Sequence, residues 1–290
     1  NAQIKGVDFI AINTDAQDIH NAKANIKIHI GKNLTKGLGA GMNPDIGKQA
    51  AEENRDEIAD ALKGADLVFI TCGLGGGTGS GASPIIADAA HDIGALVVAV
   101  VTKPFSFEGK KRTSIAEEAI LALRDRVDTL ITIPNDKVLN LIDKNTSLVE
   151  AFNVIDDILR QGVAGIADLI TYPGIVNVDF ADIKAIMSES GPALMGIGKG
   201  IGEDRAISAA KSAINSPLLD ISIDGARGVL FNVSGGDDLG MNDVNDAAKI
   251  ITESIDSEAK VIFGATYDQR LKNGEVKVTV IATGFGMGKH

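Results

Sequence analysis

The sequence has a single cysteine, Cys72, so an internal disulfide is excluded and a reducing compartment fits best. It has no tryptophan, and aromatic residues make up only 4%. That leaves few flat side chains on which single-stranded nucleic acid could stack its bases. The four histidines, His20, His29, His91 and His290, are scattered, so no metal-ligand spacing is present. No Ser/His/Asp or Cys/His arrangement for nucleophilic chemistry emerges either, and Cys72 reads as a buried residue at a strand end. Positive charge is in deficit: 28 Lys and Arg against 39 Asp and Glu give a net charge of -11. This argues against nonspecific nucleic-acid binding and against an anionic membrane surface. An anionic ligand would have to be held by local backbone dipoles. No apolar run is long enough to cross a membrane and no signal peptide opens the chain, so no membrane insertion and a cytoplasmic location are expected. No Gly-Lys pair is followed by Ser or Thr, which excludes a Walker phosphate loop.

What the 290 residues do contain is an unusual glycine run, C-G-L-G-G-G-T-G-S-G-A from Cys72 to Ala82. The apolar stretch 66–71 before it reads as a strand. The stretch 83–91 after it reads as a helix with Pro84 near its start, where a missing N–H costs nothing. A strand, a glycine turn and a helix N-terminus form a phosphate cradle, because glycine admits close approach and the first N–H groups and helix dipole favour an anion. The relaxed dinucleotide fingerprint G-x-G-x-x-A fits at Gly77, Gly79 and Ala82. Its acidic partner about 20 residues on is missing, which disfavours a Rossmann-type oxidoreductase. A flexible linker is the bland alternative, but linkers do not sit between a buried strand and a helix.

The rest of the chain alternates strands and helices. Strands are expected at 7–12, 26–30, 95–101 and 128–133, with helices at 48–62 and 111–126. This predicts an α/β fold with a doubly wound parallel sheet. Asn13 and Asp15 follow the first strand, at the carboxyl end where such sheets bind ligands, although turn and cap chemistry explains them as well. A second glycine loop, K-G-L-G-A-G from Lys36, opens the helix at 48–62. Two such loops suggest a ligand with several phosphates. Ser147 and Glu150 form a capping box, and Leu148, Phe152, Ile155, Leu159, Val163 and Ile166 then recur at helical spacing. That helix should stop at Tyr172, before Pro173-Gly174, after roughly 35–40 Å. Asp179 and Asp182 follow on one face of a short helix start, where capping and dipole effects are the ordinary explanation. Strands near 193–197, 228–233, 260–265 and 276–282, with helices at 204–215 and 242–255, predict a smaller α+β domain.

Six segments in order resemble the FtsZ family of tubulin-like GTPases: N-T-D-A-Q from Asn13, K-G-L-G-A-G from Lys36, G-G-G-T-G-S-G from Gly75, T-K-P-F-x-F-E-G-K-K-R from Thr102, I-P-N-D from Ile133 and N-V-D-F-A-D-I from Asn177. The resemblance implies a Rossmann-like GTPase domain over 1–146, a central helix over 147–173, and a C-terminal α+β domain over 174–290 that carries the catalytic loop. It implies GTP or GDP as ligand, with Mg²⁺ bound mainly through the phosphates and no protein metal site. By position, Gly75, Gly76, Gly77, Thr78 and Gly79 would hold phosphates, with Ala40, Gly41 and Met42 by the terminal one. Asn13 and Asp15 belong to the same candidate site. Glu108 would meet the ribose and Arg112 the nucleotide. Asn135, Phe152 and Asp156 would hold guanine, Phe152 by stacking and Asp156 by accepting N–H donors that adenine lacks. Read from the helical pattern alone, Phe152 is core and Asp156 a solvated face.

Asn177, Asp179 and Asp182 would complete the active site of the next subunit. The implied protein is a GTPase that polymerises head to tail into protofilaments of the bacterial division ring, with its active site shared between subunits. Its expected location is the cytoplasm, at the septum. The family's N-terminal strand, first glycine loop and first helix have no counterpart here, because residues 7–12 match the family's second strand. Nor does the disordered tail through which family members recruit membrane-tethering division proteins. A second expectation is therefore a GTP-binding polymer subunit whose hydrolysis is impaired by loss of the first phosphate loop.

Overall fold

The protein is described from a computed structural model, over residues 4, 6–142, 146–171, 176, 178–219 and 222–285. Contacts divide it into two units, Val7–Asp136 and a second that runs from Lys137 and includes Ile4 and Gly6.

In the first unit, β1 (Ile10–Asn13), α1 (Ala16–Asn21) and β2 (Ile26–His29) form a parallel pair with Ile10 opposite Ile26. There follow α2 (Lys32–Thr35), α3 (Pro44–Glu53), α4 (Arg55–Leu62), β3 (Leu67–Gly73), α5 (Gly77–Asp92), β4 (Leu96–Lys103), α6 (Lys110–Arg124) and β5 (Thr129–Pro134). β3, β4 and β5 are parallel neighbours in that order, each joined to the next by a helix. β4 is buried from Leu96 to Thr102, as a near-continuous apolar strand covered on both faces should be. The parallel strands make two ladders rather than one: among the described residues, β1 pairs only with β2. The core gathers Ile28, Ile58, Val97, Ala99, Val101 and Leu123.

Two expected elements differ. The helix at 48–62 is two helices broken at Asn54, whose backbone leaves helical geometry while its side chain accepts from the Gly31 N–H at 3.0 Å and donates to Glu57 at 2.9 Å. α5 begins at Gly77, inside the glycine run, so Pro84 falls in its second turn and not at its start. Glycine is a poor helix former, but here the packing of α3 overrides propensity. A Cβ at Gly47 would stand 2.1 Å from the Gly77 carbonyl oxygen, and one at Gly81 would stand 2.0 Å from that of Pro44. Small residues let the two helix backbones touch.

In the second unit, α7 (Asn135–Val138), which spans the boundary, is followed by α8 (Leu148–Thr171), α9 (Phe180–Met187), β6 (Gly191–Ile201), α10 (Arg205–Ile214), β7 (Gly228–Gly235), α11 (Met241–Thr252), β8 (Lys260–Tyr267) and β9 (Glu275–Thr283). The sheet order is β6-β9-β7-β8, antiparallel except for the parallel β7–β8 pair. Phe231, Val233, Val276, Val278 and Val280 face α10 and α11 through Ala206, Ala209, Ala210 and Val244. α8 lies on this sheet, with Gly165 over Thr279 and Leu169 against Gly264. Its capping box forms: the Ser147 N–H donates to Glu150 at 2.9 Å and the Glu150 N–H to Ser147 Oγ at 3.2 Å. At 1.5 Å per residue its 24 residues span roughly 36 Å. No helix among the described residues is long and apolar enough to cross a membrane.

Candidate nucleotide site

The end of β3 and the start of α5 build the phosphate loop. Gly75 takes φ +102°, which favours glycine, and its N–H donates to Ser80 Oγ at 2.9 Å. Gly76 is the extended residue before the helix. The Gly77 N–H is already engaged, donating to the Gly41 carbonyl at 2.7 Å. The first-turn amides that follow, at Thr78 and Gly79, have no partner within the helix and point along a dipole that favours an anion. Gly77 and Gly79 serve internal packing: a Cβ at Gly77 would stand 2.7 Å from the Asn43 oxygen, and one at Gly79 would stand 2.5 Å from the Gly73 oxygen. A Cβ at Gly76 would meet nothing within 4 Å. Gly76 therefore marks the open face of the loop.

The second glycine loop closes on the same place. Ala40 is buried, whereas Gly41, with φ +57°, and Met42 are exposed. Asn43 caps α3 by accepting from the Asp45 N–H at 3.0 Å, with Pro44 at its first position. Asn13 and Asp15 do the local work that turn chemistry assigns them. The Asn13 side chain accepts from the Asp15 N–H, and Asp15 caps α1 through the N–H groups of Gln17 and Asp18. A Cβ on Gly39 would stand 3.6 Å from Asp15 Oδ2, so strand end and loop are nonetheless neighbours.

Glu108 and Arg112 meet each other. Arg112 Nη1 donates to Glu108 Oε2 at 2.9 Å, while Glu108 Oε1 accepts from the Phe105 N–H. Asn135, at the end of β5, is buried, and its Oδ1 finds no hydrogen-bond partner among the described residues. A buried unpaired amide oxygen is costly and suits a ligand donor. Cys72 is half-buried, and burial pushes its thiol up to about 11, against a smaller opposing effect from Ser83. It stays a thiol at neutral pH.

In the second unit, Phe152 and Asp156 lie one turn apart on α8 and both are exposed. The structure does not give Phe152 the core position that the helical pattern alone would: the buried stripe runs through Ala151, Ile155, Ile158 and Gly162, and Leu148 is exposed with Phe152. The stripe is displaced by one residue, about 100°, at the start of the helix. Asp179 caps α9 by accepting from the Ala181 N–H at 3.3 Å, and Asp182 is exposed in its first turn. Asn177 lies outside the described residues. Residues that sequence reasoning passed over are Thr14, whose hydroxyl meets that of Thr78, and Gly47 and Gly81, which hold α3 against α5.

Among the described residues no three His, Cys, Asp or Glu side chains come together to hold a metal ion. Cavities of about 450 and 320 Å³ are lined by second-unit residues alone. In the smaller one, Asp268 pairs with Arg270 at 2.7 Å and Lys277 at 3.2 Å. Burial alone would raise the Asp268 carboxyl, but those two cations together hold it well below the usual carboxylate range. Burial pushes the Lys277 ammonium down, against the pull of Asp268.

Residues 2–143 match the model of the Tubulin/FtsZ family, GTPase domain, and residues 191–286 that of the FtsZ family, C-terminal domain. Among solved structures, an empty FtsZ dimer from M. jannaschii is 48% identical with a TM-score of 0.94, over 97% of this chain and 82% of that one. CetZ1 from Haloferax volcanii, a GDP-bound monomer, is 24% identical with a TM-score of 0.79, over 96% and 85%. CetZ2 from the same organism, a GTPγS-bound protofilament, is 20% identical with a TM-score of 0.78, over 97% and 85%. The two CetZ structures share the fold.

Proposed function

The chain belongs to the Tubulin/FtsZ family and carries its GTPase domain, and from that premise we propose an assembly-dependent GTPase of a cell-division filament. GTP sits with its phosphates on Gly76, Thr78 and Gly79, its terminal phosphate beside Ala40, Gly41 and Met42. Gly75 and Gly77 shape that loop, and Asn13 and Asp15 brace its neighbour. The ribose meets Glu108 and Arg112 in place of part of their mutual ion pair. Guanine stacks on Phe152 and donates to Asp156 and Asn135. Mg²⁺ would arrive on the phosphate oxygens and offset their charge.

Hydrolysis needs a positioned water. Asp179 and Asp182 are exposed carboxylates that can accept its protons' hydrogen bonds and orient it for in-line attack; Asn177 belongs with them. One observation carries the assembly requirement. Phe152 and Asp156 lie near the start of α8, and the acidic pair follows its end. From Asp156 to Thr171 the helix rises about 22 Å. α8 reaches the smaller cavity at Asp157–Gln161, beside Lys277 near the start of β9, whereas the Ile186 carbonyl of α9 accepts from Thr283 at the other end of that strand. Those six residues of β9 add up to roughly 20 Å. Carboxylates so placed serve the nucleotide of another copy, and a contact of that head-to-tail kind propagates a filament. A filament of this family points to the division septum, in the cytoplasm, with membrane-tethering proteins as further partners.

The test is a mixture. Asp182→Ala should abolish turnover and leave GTP affinity within about twofold, because the residue touches only a neighbour's substrate. Adding Gly76→Val, which blocks the loop but keeps its own acidic pair, should restore part of the activity. No recovery, with both variants folded, contradicts the shared site. Asp156→Ala should lose preference for GTP over ATP by at least about tenfold, on the order of 1.4 kcal/mol; unchanged preference removes its guanine role.

A further inference from the structure

Thr14, directly after β1, is fully buried, and its hydroxyl lies 2.6 Å from the hydroxyl of Thr78. Its backbone is held from two sides. The Thr14 carbonyl accepts from Thr35 Oγ1 at 3.1 Å and bonds His29 Nε2 at 3.3 Å. A Cβ on Gly39 would stand 4.0 Å from Thr14 Oγ1, so the residue lies under the second glycine loop as well. A β-branched side chain on a fixed backbone has little χ1 freedom. Thr78 is the second residue of α5, half-buried at the mouth of the phosphate loop.

We propose that Thr14 is a positioning residue for the phosphate loop: it donates its hydroxyl proton to Thr78 and so leaves the Thr78 proton to the nucleotide. The inference rests on the reading above that a nucleotide phosphate sits on this loop. Two hydroxyls in contact share one proton between them, and either can be the donor. A phosphate oxygen at neutral pH only accepts. Once it bonds Thr78, the Thr78 proton points to the phosphate, and the Thr14–Thr78 bond must take its proton from Thr14. The chain Thr14 O–H to Thr78 O–H to phosphate then runs one way, and each bond polarises the next. Thr14 touches no ligand itself. It fixes where the Thr78 hydroxyl stands and which way it donates.

The experiment measures GTPγS and GDP affinity of the whole chain by calorimetry for Thr14→Ser, Thr14→Val, Thr78→Val and the double Val variant. Thr14→Ser keeps the hydroxyl and should stay within about twofold of the parent. Thr14→Val keeps the shape and should bind about tenfold more weakly, the loss expected for a hydrogen bond at a charged ligand. Adding Thr14→Val to Thr78→Val should cost no further affinity, because the effect passes through Thr78. Equal affinity for Thr14→Val and the parent overturns the proposal, as does an additive loss in the double variant. Melting of each variant without nucleotide separates the two roles: an affinity loss that follows the melting temperature and that Ser does not rescue also overturns it. If the parent itself binds no guanine nucleotide, the nucleotide reading fails first, which is a distinct result from a parent that binds and a Val variant that binds equally.

Discussion

Glycine recurs at close spacing in Gly75–Gly81 of the first unit and in Gly196–Gly200 of the second, and these two stretches do different things. On β6, Gly196, Gly198 and Gly200 share one face. Added Cβ atoms there would stand 2.1, 2.0 and 1.9 Å from the carbonyl oxygens of Ala213, Ala209 and Arg205. Two strand residues advance roughly 6.7 Å and four helix residues 6.0 Å, so the strand and α10 stay in step over all three contacts. Every glycine of that stretch is filled from outside by a helix. In the loop, Gly77 is filled by backbone oxygens of the second glycine loop and Asn43, Gly79 by that of Gly73 at the end of β3 and Gly81 by that of Pro44 in α3, while Gly76 is open. A glycine run therefore marks close approach of some kind. The open Cβ position marks where a ligand can be the thing that approaches.

The largest effect should come from closing a filled position. Gly198→Ala puts its methyl against the backbone of α10 and should cost more than about 3 kcal/mol, read as loss of the denaturant transition or of folded material. Gly47→Ala strikes the Gly77 carbonyl and should cost a similar amount, on the order of 3 kcal/mol, and should also reduce GTP binding because it displaces the loop. Gly76→Ala is the sharpest contrast. The melting temperature without nucleotide should move by no more than about 2 °C, while nucleotide affinity falls by at least about tenfold, roughly 1.4 kcal/mol. Unchanged affinity there would break the distinction between filled and open glycines.

The smallest effect concerns charge. The glycine contacts carry none and should be indifferent to pH. The second unit differs, because Asp268 is held below its ordinary value by Arg270 and Lys277, and the Asp238 and Asp243 carboxyls are held low by the Arg205 guanidinium. A carboxyl lowered on folding adds stability above its unfolded value, about pH 4, and loses it as pH falls through the folded value. Stability should therefore decline below about pH 4, and Asp268→Asn should flatten that decline while lowering stability at pH 7. A chevron or melting series across pH checks both. A decline as steep in Asp268→Asn as in the parent removes this ion pair from the account.

β4 was legible because seven buried apolar positions in a row fit only a strand covered on both faces. The start of α8 was legible because Ser147 and Glu150 carry their own capping chemistry. The six ordered segments told more than any pattern, giving both family and fold. Local signals failed where distant packing decides. Nothing near Gly77 says that α3 will hold it in a helix, so the start of α5 was misplaced by six residues. The 3.6-residue period placed Phe152 in the core because periodicity gives a stripe and not which neighbour covers it. The Thr14–Thr78 contact joins residues 64 positions apart, and no spacing rule links them.

The central claim is that the acidic pair after α8 acts on the nucleotide of a second copy. Turnover per chain, measured at saturating GTP as the protein is diluted, tests it most directly. The account predicts that turnover per chain collapses below a threshold concentration while GTP remains bound. A constant turnover per chain down to concentrations at which light scattering and sedimentation show only monomer would contradict it.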